Sequence, residues 1–397
     1  MVTAKSFRLA ATIIAAILLS ACGGNGKNSA SQTGVQVIDK DDILTLEEWP
    51  VESWEPLFLK DGDDEPIIGG EIVDVKYDDG IFFLLWFSRT DAKVRITAFE
   101  SSGQYLNDIG RQGGAGYEYS MPRCWALDSE RNEVLIMDYP ATLKHYDYSG
   151  NFLRKERLRE DFAELMGYIS YASCMSDGTL LVSNMLDTEP SDQFIMLHPD
   201  STVTIPFTGN GYVGTYLQGR DHVYSSVSYG DEIWLMRPYD NHIYRLDGIT
   251  GDTTCVANLS FIKDVPDKIK YNAYNIDMAD PYKESLLIGC SDLKNHLLIQ
   301  YFGSAYFFDK SSCRLYKYPD KVFEEEEFLP SPTMILGYYE NTIVQIVHPE
   351  WLGSRADDSE NDTSDNPKLN KLNEFYRKAG SCENPVLVLL HLKPQLK

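Results

Sequence analysis

Leu19-Ser20-Ala21-Cys22 is the first stretch of the chain with chemistry of its own. A thiol directly behind small residues, after a basic start at Lys5 and Arg8 and an apolar run from Leu9 to Leu19, has the layout of a lipoprotein signal. Cleavage before Cys22 would free an amino group, and that nitrogen and the sulfur would both take acyl chains. The apolar run of 11 residues is too short to cross a bilayer. Cys22 is therefore the expected lipidation site, residues 1–21 the signal peptide, and residues 22–42 a flexible tether that opens with Gly, Ser, Asn and Gln. No run of acids follows Cys22, which favours a lipid-anchored place on the periplasmic face of the cell envelope over the cell surface.

A second set of residues stands just behind a series of apolar runs: Trp86, Arg89, Asp138, Tyr139, Asp187, Arg237, Tyr239, His348 and Trp351. Aromatic rings beside Asp and Arg suit stacking on a sugar or gripping a peptide, with the charges fixing orientation. The same residues could instead pack between strands and pair with one another.

Other chemistries lack their signatures. There is no HExxH helix, no GxSxG elbow and no phosphate loop ending in Lys. The glycines of IGRQGG from Ile109 have no helix-forming run behind them and read as a turn. Asp61 to Glu65 lacks the alternating ligands of a calcium loop, and Glu324 to Glu327 reads as a solvated loop. Seven scattered histidines leave a metal site gathered from several repeats as the alternative, but no cofactor or metal is expected. Besides Cys22 there are six cysteines without a CxxC pair; several lie in expected strands, which suits small core residues more than disulfides.

The net charge is −24, and loss of residues 1–21 makes it more negative. Such a chain repels phosphates, so nucleic acid is excluded as a partner and membrane attachment must come from the acyl chains.

The elements that must carry these residues repeat. AFESSGQYL from Ala98 returns as HYDYSGNFL from His145, 47 residues on. Each reads as a strand, a tight turn ending in Gly103 or Gly150, and a further strand. Six strand pairs follow one order, their first runs starting at Ile81, Val134, Leu180, Ile233, Leu297 and Ile343. Their second runs end near Phe99, Tyr146, Leu197, Leu246, Phe308 and Leu390. The turns behind five of them read ESSG, DYSG, HPDS, DGITG and DKSSC, so that Cys313 stands where the first two have Gly. An innermost strand precedes each pair, at Glu71, Cys124, Tyr171, Val223, Leu286 and Met334. Short strands at this spacing predict an all-β fold, a six-bladed β-propeller over residues 43–397. A strand within Ile43 to Leu59 is expected to close the last blade by covering its open edge. Pro367 to Gly380, with Leu369, Leu372, Phe375 and Tyr376 at helical spacing, predicts a helix inside an insertion over about 357–380 of that blade.

IGRQGGAGYEY, Ile109 to Tyr119, together with FESSGQYL before it and LIMDY after it, resembles the NHL-like six-bladed β-propeller lipoproteins of Gram-negative gut anaerobes. The family pattern IG-x-x-G-x-GPGEY is matched by Ile109, Gly110, Gly113, Glu118 and Tyr119, while Ala115, Gly116 and Tyr117 replace its Gly, Pro and Gly. The resemblance implies a propeller in the envelope and no particular activity. Loops joining the two middle strands of each blade would open around the channel mouth and present the second set of residues to a ligand. The expectation is thus a monomeric, lipid-anchored propeller that binds a carbohydrate, a peptide or an envelope protein without catalysis. The alternative is a metal-dependent propeller hydrolase or lyase.

Overall fold

The computed structural model describes residues 34–46, 50–60, 68–120, 122–138, 141–158, 169–184, 194–207, 230–237, 240–266, 282, 285, 287–301, 304–318, 335–351 and 367–397. The expected signal with Cys22, the start of the tether, the expected strand at Val223 and the acidic runs at 61–65 and 324–327 lie outside them. The described residues are all-β apart from one α-helix and short 3-10 turns.

Three strands come first: β1 (Gln36–Ile38), β2 (Leu44–Thr45) and β3 (Val51–Phe58). Up-and-down antiparallel units follow. The first holds β4 (Gly70–Asp78), β5 (Ile81–Ser88), β6 (Val94–Glu100) and β7 (Tyr105–Asp108). The second holds β8 (Pro122–Asp128), β9 (Glu133–Asp138), β10 (Thr142–Asp147) and β11 (Phe152–Arg157). The third holds β12 (Ile169–Cys174), β13 (Leu180–Asn184), β14 (Phe194–Leu197) and β15 (Val203–Thr204). In the fourth, β16 (Glu232–Met236), β17 (His242–Asp247) and β18 (Thr253–Leu259) are described. The fifth holds β19 (Leu287–Asp292), β20 (His296–Tyr301), β21 (Ser304–Asp309) and β22 (Arg314–Lys317). The last holds β23 (Ile335–Tyr339), β24 (Thr342–Val347) and β25 (Val386–Leu392), with helix α1 (Pro367–Gly380) between the last two strands.

Turn chemistry sets this order. Gly103 and Gly150 both sit at φ 84, the left-handed region that glycine enters at little cost. The equivalent residues of the other three turns take the same region: Ser201 at φ 66, Gly251 at φ 80 and Cys313 at φ 55. Cys313 thus occupies a glycine's conformation as well as its place in the repeat. Each inner strand whose pairing is described also carries one register shift near its start, as between Ile72 and Asp74 or Pro122 and Cys124. Such bulges add local twist, and nothing in the residue types announces them.

The core lies between units. In β9, Val134 and Ile136 pack with Phe83 and Ile96 of the first unit, while Leu135 and Met137 pack with Leu180 and Val182 of the third. Period-two alternation therefore places apolar side chains on both faces, and the strand reads as an unbroken apolar run because both faces are covered. The other clusters join third to fourth, fourth to fifth and fifth to sixth units. The series returns on itself: Val344 and Leu387 of the last unit pack with Val75, Phe82 and Leu84 of the first.

β3 runs antiparallel along β25, from Val51 opposite Leu392 to Phe58 opposite Val386, so the stretch before the first unit covers the edge of the last. Two further strands were not foreseen. β1 pairs parallel with β18 and β2 with β22, so the tether expected through residue 42 gives way to strand at Gln36. Ile38, 1 % exposed, is the anchor of β1 in the fourth unit's core. A three-residue strand carries too little alternation to be read from sequence. Helix α1 buries Leu372, Phe375, Tyr376 and Ala379 against the last two units, and the Phe375 ring meets Trp54 of β3 edge-on at 5.7 Å.

Candidate functional site

The inner strands β4, β8, β12 and β23 deliver their ends to one cavity of about 450 Å³. Its wall is made of the turns that lead from these strands into β5, β9, β13 and β24, completed by Gly230 and Asp231 ahead of β16. The turn at Asp79-Gly80, with φ 44 and 82, is a two-residue hairpin of the kind Asp-Gly favours. It exposes Asp79 beside the opening.

Lys76, two residues before the end of β4, enters from the wall with its side chain 12 % exposed. Its Nζ lies 4.9 Å from the Tyr171 ring centre and 5.2 Å from that of Trp125, and it donates to the Ala172 carbonyl at 3.4 Å. Burial opposes its charge most strongly, but Asp74 at 3.7 Å together with Tyr171 and Cys124 outweighs that and holds the ammonium above the ordinary lysine range. Tyr77 and Tyr339 stack at 4.1 Å across the junction of the first and last units. Two acids in the wall are held by neutral donors. Tyr148 Oη donates to Asp78 Oδ2 at 2.6 Å, and Ser176 donates to Asp231 through its N–H at 2.8 Å and its hydroxyl at 2.5 Å. Cys174 also lines the cavity, but burial pushes its thiol up to about 12, so it stays protonated and is no nucleophile. Among the described residues no three His, Cys, Asp or Glu groups gather as a metal would need.

Of the residues singled out from sequence, Trp86, Arg89, Asp138, Arg237 and His348 are described, and they stand at the other end of the strands. Trp86 is five residues along β5 from Ile81, a rise of about 17 Å. It is 3 % exposed, donates from Nε1 to Thr97 Oγ1 at 2.9 Å, and lies under the Arg95 guanidinium at 5.5 Å. Asp138 is buried, accepts from Lys144 Nζ at 2.8 Å and takes the Ser120 N–H at 3.0 Å. Arg237 lies 4.9 Å over the Phe207 ring and 3.8 Å from Asp240. Arg89 is exposed on its turn. Burial pushes the half-buried His348 imidazole below its usual value, with Arg89 adding to the lowering and Glu350 and Glu71 opposing it. Tyr139, Asp187, Tyr239 and Cys22 lie outside the described residues, and Trp351 ends a 3-10 turn from Pro349 without a described side chain. Sequence reasoning passed over Lys76, Tyr77 and Tyr339. The available signal was a lysine inside a strand expected to be innermost, where a charge needs a reason.

The Ile109 to Tyr119 segment is a loop braced from within and held to its neighbours by Val94, Lys144 and Tyr146. Arg111 Nε meets Glu118 Oε1 at 2.5 Å, and the Ala115 N–H donates to Glu118 Oε2 at 2.8 Å. The backbone donation and the guanidinium hold the Glu118 carboxyl below its usual range. A Cβ on Gly113 would strike this carboxylate and one on Gly110 the Tyr146 ring, which explains both glycines by close approach.

The chain belongs to the family described as Domain of unknown function (DUF4934), whose model matches residues 35–391. No curated protein matches it. Among solved structures it is similar to a candidate exported protein of Bacteroides fragilis, at 17% identity and TM-score 0.58, with 90% of this chain and 100% of that one covered. It is also similar to a member of the DUF4221 family from Bacteroides vulgatus, at 10% identity and TM-score 0.50, covering 86% and 97% respectively. At these identities the likeness speaks for the fold alone. No helix among the described residues is long and apolar enough to cross a membrane.

Proposed function

We propose that this chain is an NHL-like six-bladed propeller, anchored through acyl chains on Cys22 to the periplasmic face of the envelope, that binds a carbohydrate or peptide where its inner strands meet. Six successive antiparallel units and six clusters that lead from each unit to the next and back to the first support the six blades. The observation that carries binding is the cavity itself. About 450 Å³ lies within the range of small-ligand pockets, and its wall combines paired tyrosines with charged and hydroxyl groups able to orient a polar molecule.

A thermal-shift screen of oligosaccharides and short peptides tests this reading, followed by titration of any ligand found against Tyr339→Ala and Tyr77→Ala. Both variants should weaken binding by about tenfold or more, as loss of an aromatic anchor does. If both bind unchanged while Arg89→Ala or His348→Ala abolishes binding, the ligand sits at the opposite end of the strands.

A further inference from the structure

The floor and the rim of the cavity carry opposite charge. Lys76 Nζ has three N–H donors, and its hydrogen-bond acceptor is the Ala172 carbonyl at 3.4 Å, a long contact. The Asp74 carboxylate at 3.7 Å is close enough to attract but beyond hydrogen-bond reach, and Trp125 and Tyr171 offer only ring faces. A largely buried ammonium in this position retains donor capacity directed at an oxygen acceptor.

Around the opening stand Asp79, Glu130 and Glu340, all exposed, with Asp78 and Asp231 deeper in the wall. Asp78 and Asp231 are satisfied by hydroxyl and amide donors, which leave their charge uncompensated. Glu340 has Lys294 at 3.9 Å, with both side chains exposed. Lys76 is the one cation among the described lining residues, against five carboxylates.

A simple anion meets a repelling rim, a simple cation meets the Lys76 ammonium at the floor, and a neutral sugar leaves the rim carboxylates without a counter-charge. We propose that the ligand is dipolar: a short basic peptide whose terminal carboxylate accepts from Lys76 Nζ while its amino groups face the carboxylates of the rim. This rests on the reading that the cavity binds a ligand, and it specifies the class of that ligand.

Calorimetric titration of the folded protein with the tripeptide lysyl-lysyl-alanine, its C-terminal amide and maltotriose tests it. The free acid should bind about tenfold or more tightly than the amide, the range of one charge-assisted hydrogen bond. Lys76→Met should erase that preference, Lys76→Arg should keep much of it, and Glu130→Gln with Glu340→Gln should weaken both peptides and flatten their salt dependence. The acid-against-amide comparison on the parent protein needs no variant to fold. Equal affinity for acid and amide overturns the carboxylate assignment. Binding of maltotriose with no binding of either peptide overturns the ligand class and leaves the cavity's binding role standing, whereas silence from all three probes overturns this inference and leaves the wider screen to decide the role of the cavity.

Discussion

Gly337 and Val75 face each other at the single parallel pairing that joins the last unit to the first, and a Cβ on Gly337 would collide with the Val75 carbonyl oxygen. The junction joins the two units into the eight-stranded sheet β3-β25-β24-β23-β4-β5-β6-β7, and it lies beside Tyr338, Tyr339 and Lys76 in the cavity wall. Gly337→Ala should therefore force the two inner strands apart. The expected cost is about 1–3 kcal/mol in chemical denaturation, the usual range for overpacking. Unchanged stability would mean that the two strands separate freely at this point.

Asp138 was singled out as a ligand-facing acid, yet its carboxylate is 2 % exposed and meets an ammonium that is 8 % exposed. Asp138→Asn would leave Lys144 buried without its counter-charge. The loss should be about 3 kcal/mol or more, as for other broken buried pairs. Binding by the fraction that stays folded should be unchanged. A ligand titration that weakens while the denaturation midpoint holds would show the opposite, a binding role without a structural one.

The strand framework was legible because its signals are local. Short apolar runs mark the strands of each repeat, and turn formers such as Glu-Ser-Ser-Gly and Asp-Tyr-Ser-Gly mark the turns, with Cys313 standing in a glycine's place. The helix was legible as well: Pro367 suits its first position, and Leu372, Phe375 and Tyr376 form one stripe. The cavity was not. Lys76, Tyr339 and Asp231 come from three units far apart in the chain and meet only when the last unit packs against the first. Trp86 and Asp138 misled for a related reason. Tryptophan beside Arg, or Asp beside Lys, reads the same whether the partner is a ligand or the next strand.

β3 hides the outer edge of β25 and docks Phe375 of the helix through Trp54 and Phe58. Removing residues 1–33 should leave the melting temperature unaltered. Removal of residues 1–60 takes β1, β2 and β3 together and leaves β25 with unpaired backbone groups, so the product should aggregate or melt well below the parent. Size-exclusion chromatography and a melting curve compare the two, and equal behaviour would show that the edge tolerates solvent.

Cys22 carries the anchoring proposal. Cys22→Ala should move the protein from the detergent phase to the aqueous phase on Triton X-114 partition, because acyl chains are the proposed means of attachment. The melting temperature should stay as in a parent lacking residues 1–33, since the described fold begins beyond Cys22. Retention of the variant in the detergent phase would place the attachment elsewhere.

His296 sets a pH dependence. Its side chain is 0% exposed, Nδ1 lies 3.2 Å from Asn341 Oδ1 and Nε2 has no partner, so the neutral ring is the form that fits. Burial, the largest cause, lowers its proton affinity; Asn341 and the Asp309 carboxylate push back and Lys310 adds to the lowering. In the unfolded chain the imidazole titrates near 6.5, so as pH falls from there toward the lower folded value the unfolded state takes up a proton that the folded state refuses. Stability from this residue is complete above that pH and declines below it. Asp292 works in the opposite sense: burial raises its carboxyl to about 7 against the pull of Lys310, so its contribution declines as pH rises from the unfolded carboxylate value toward 7. The informative quantity is therefore a difference. Between pH 7.5 and 5.5, the denaturation midpoint of the parent should fall relative to that of His296→Gln, which keeps a polar neighbour for Asn341 but cannot titrate. Parallel curves for the two proteins would show that His296 binds its proton equally in the folded and unfolded chain.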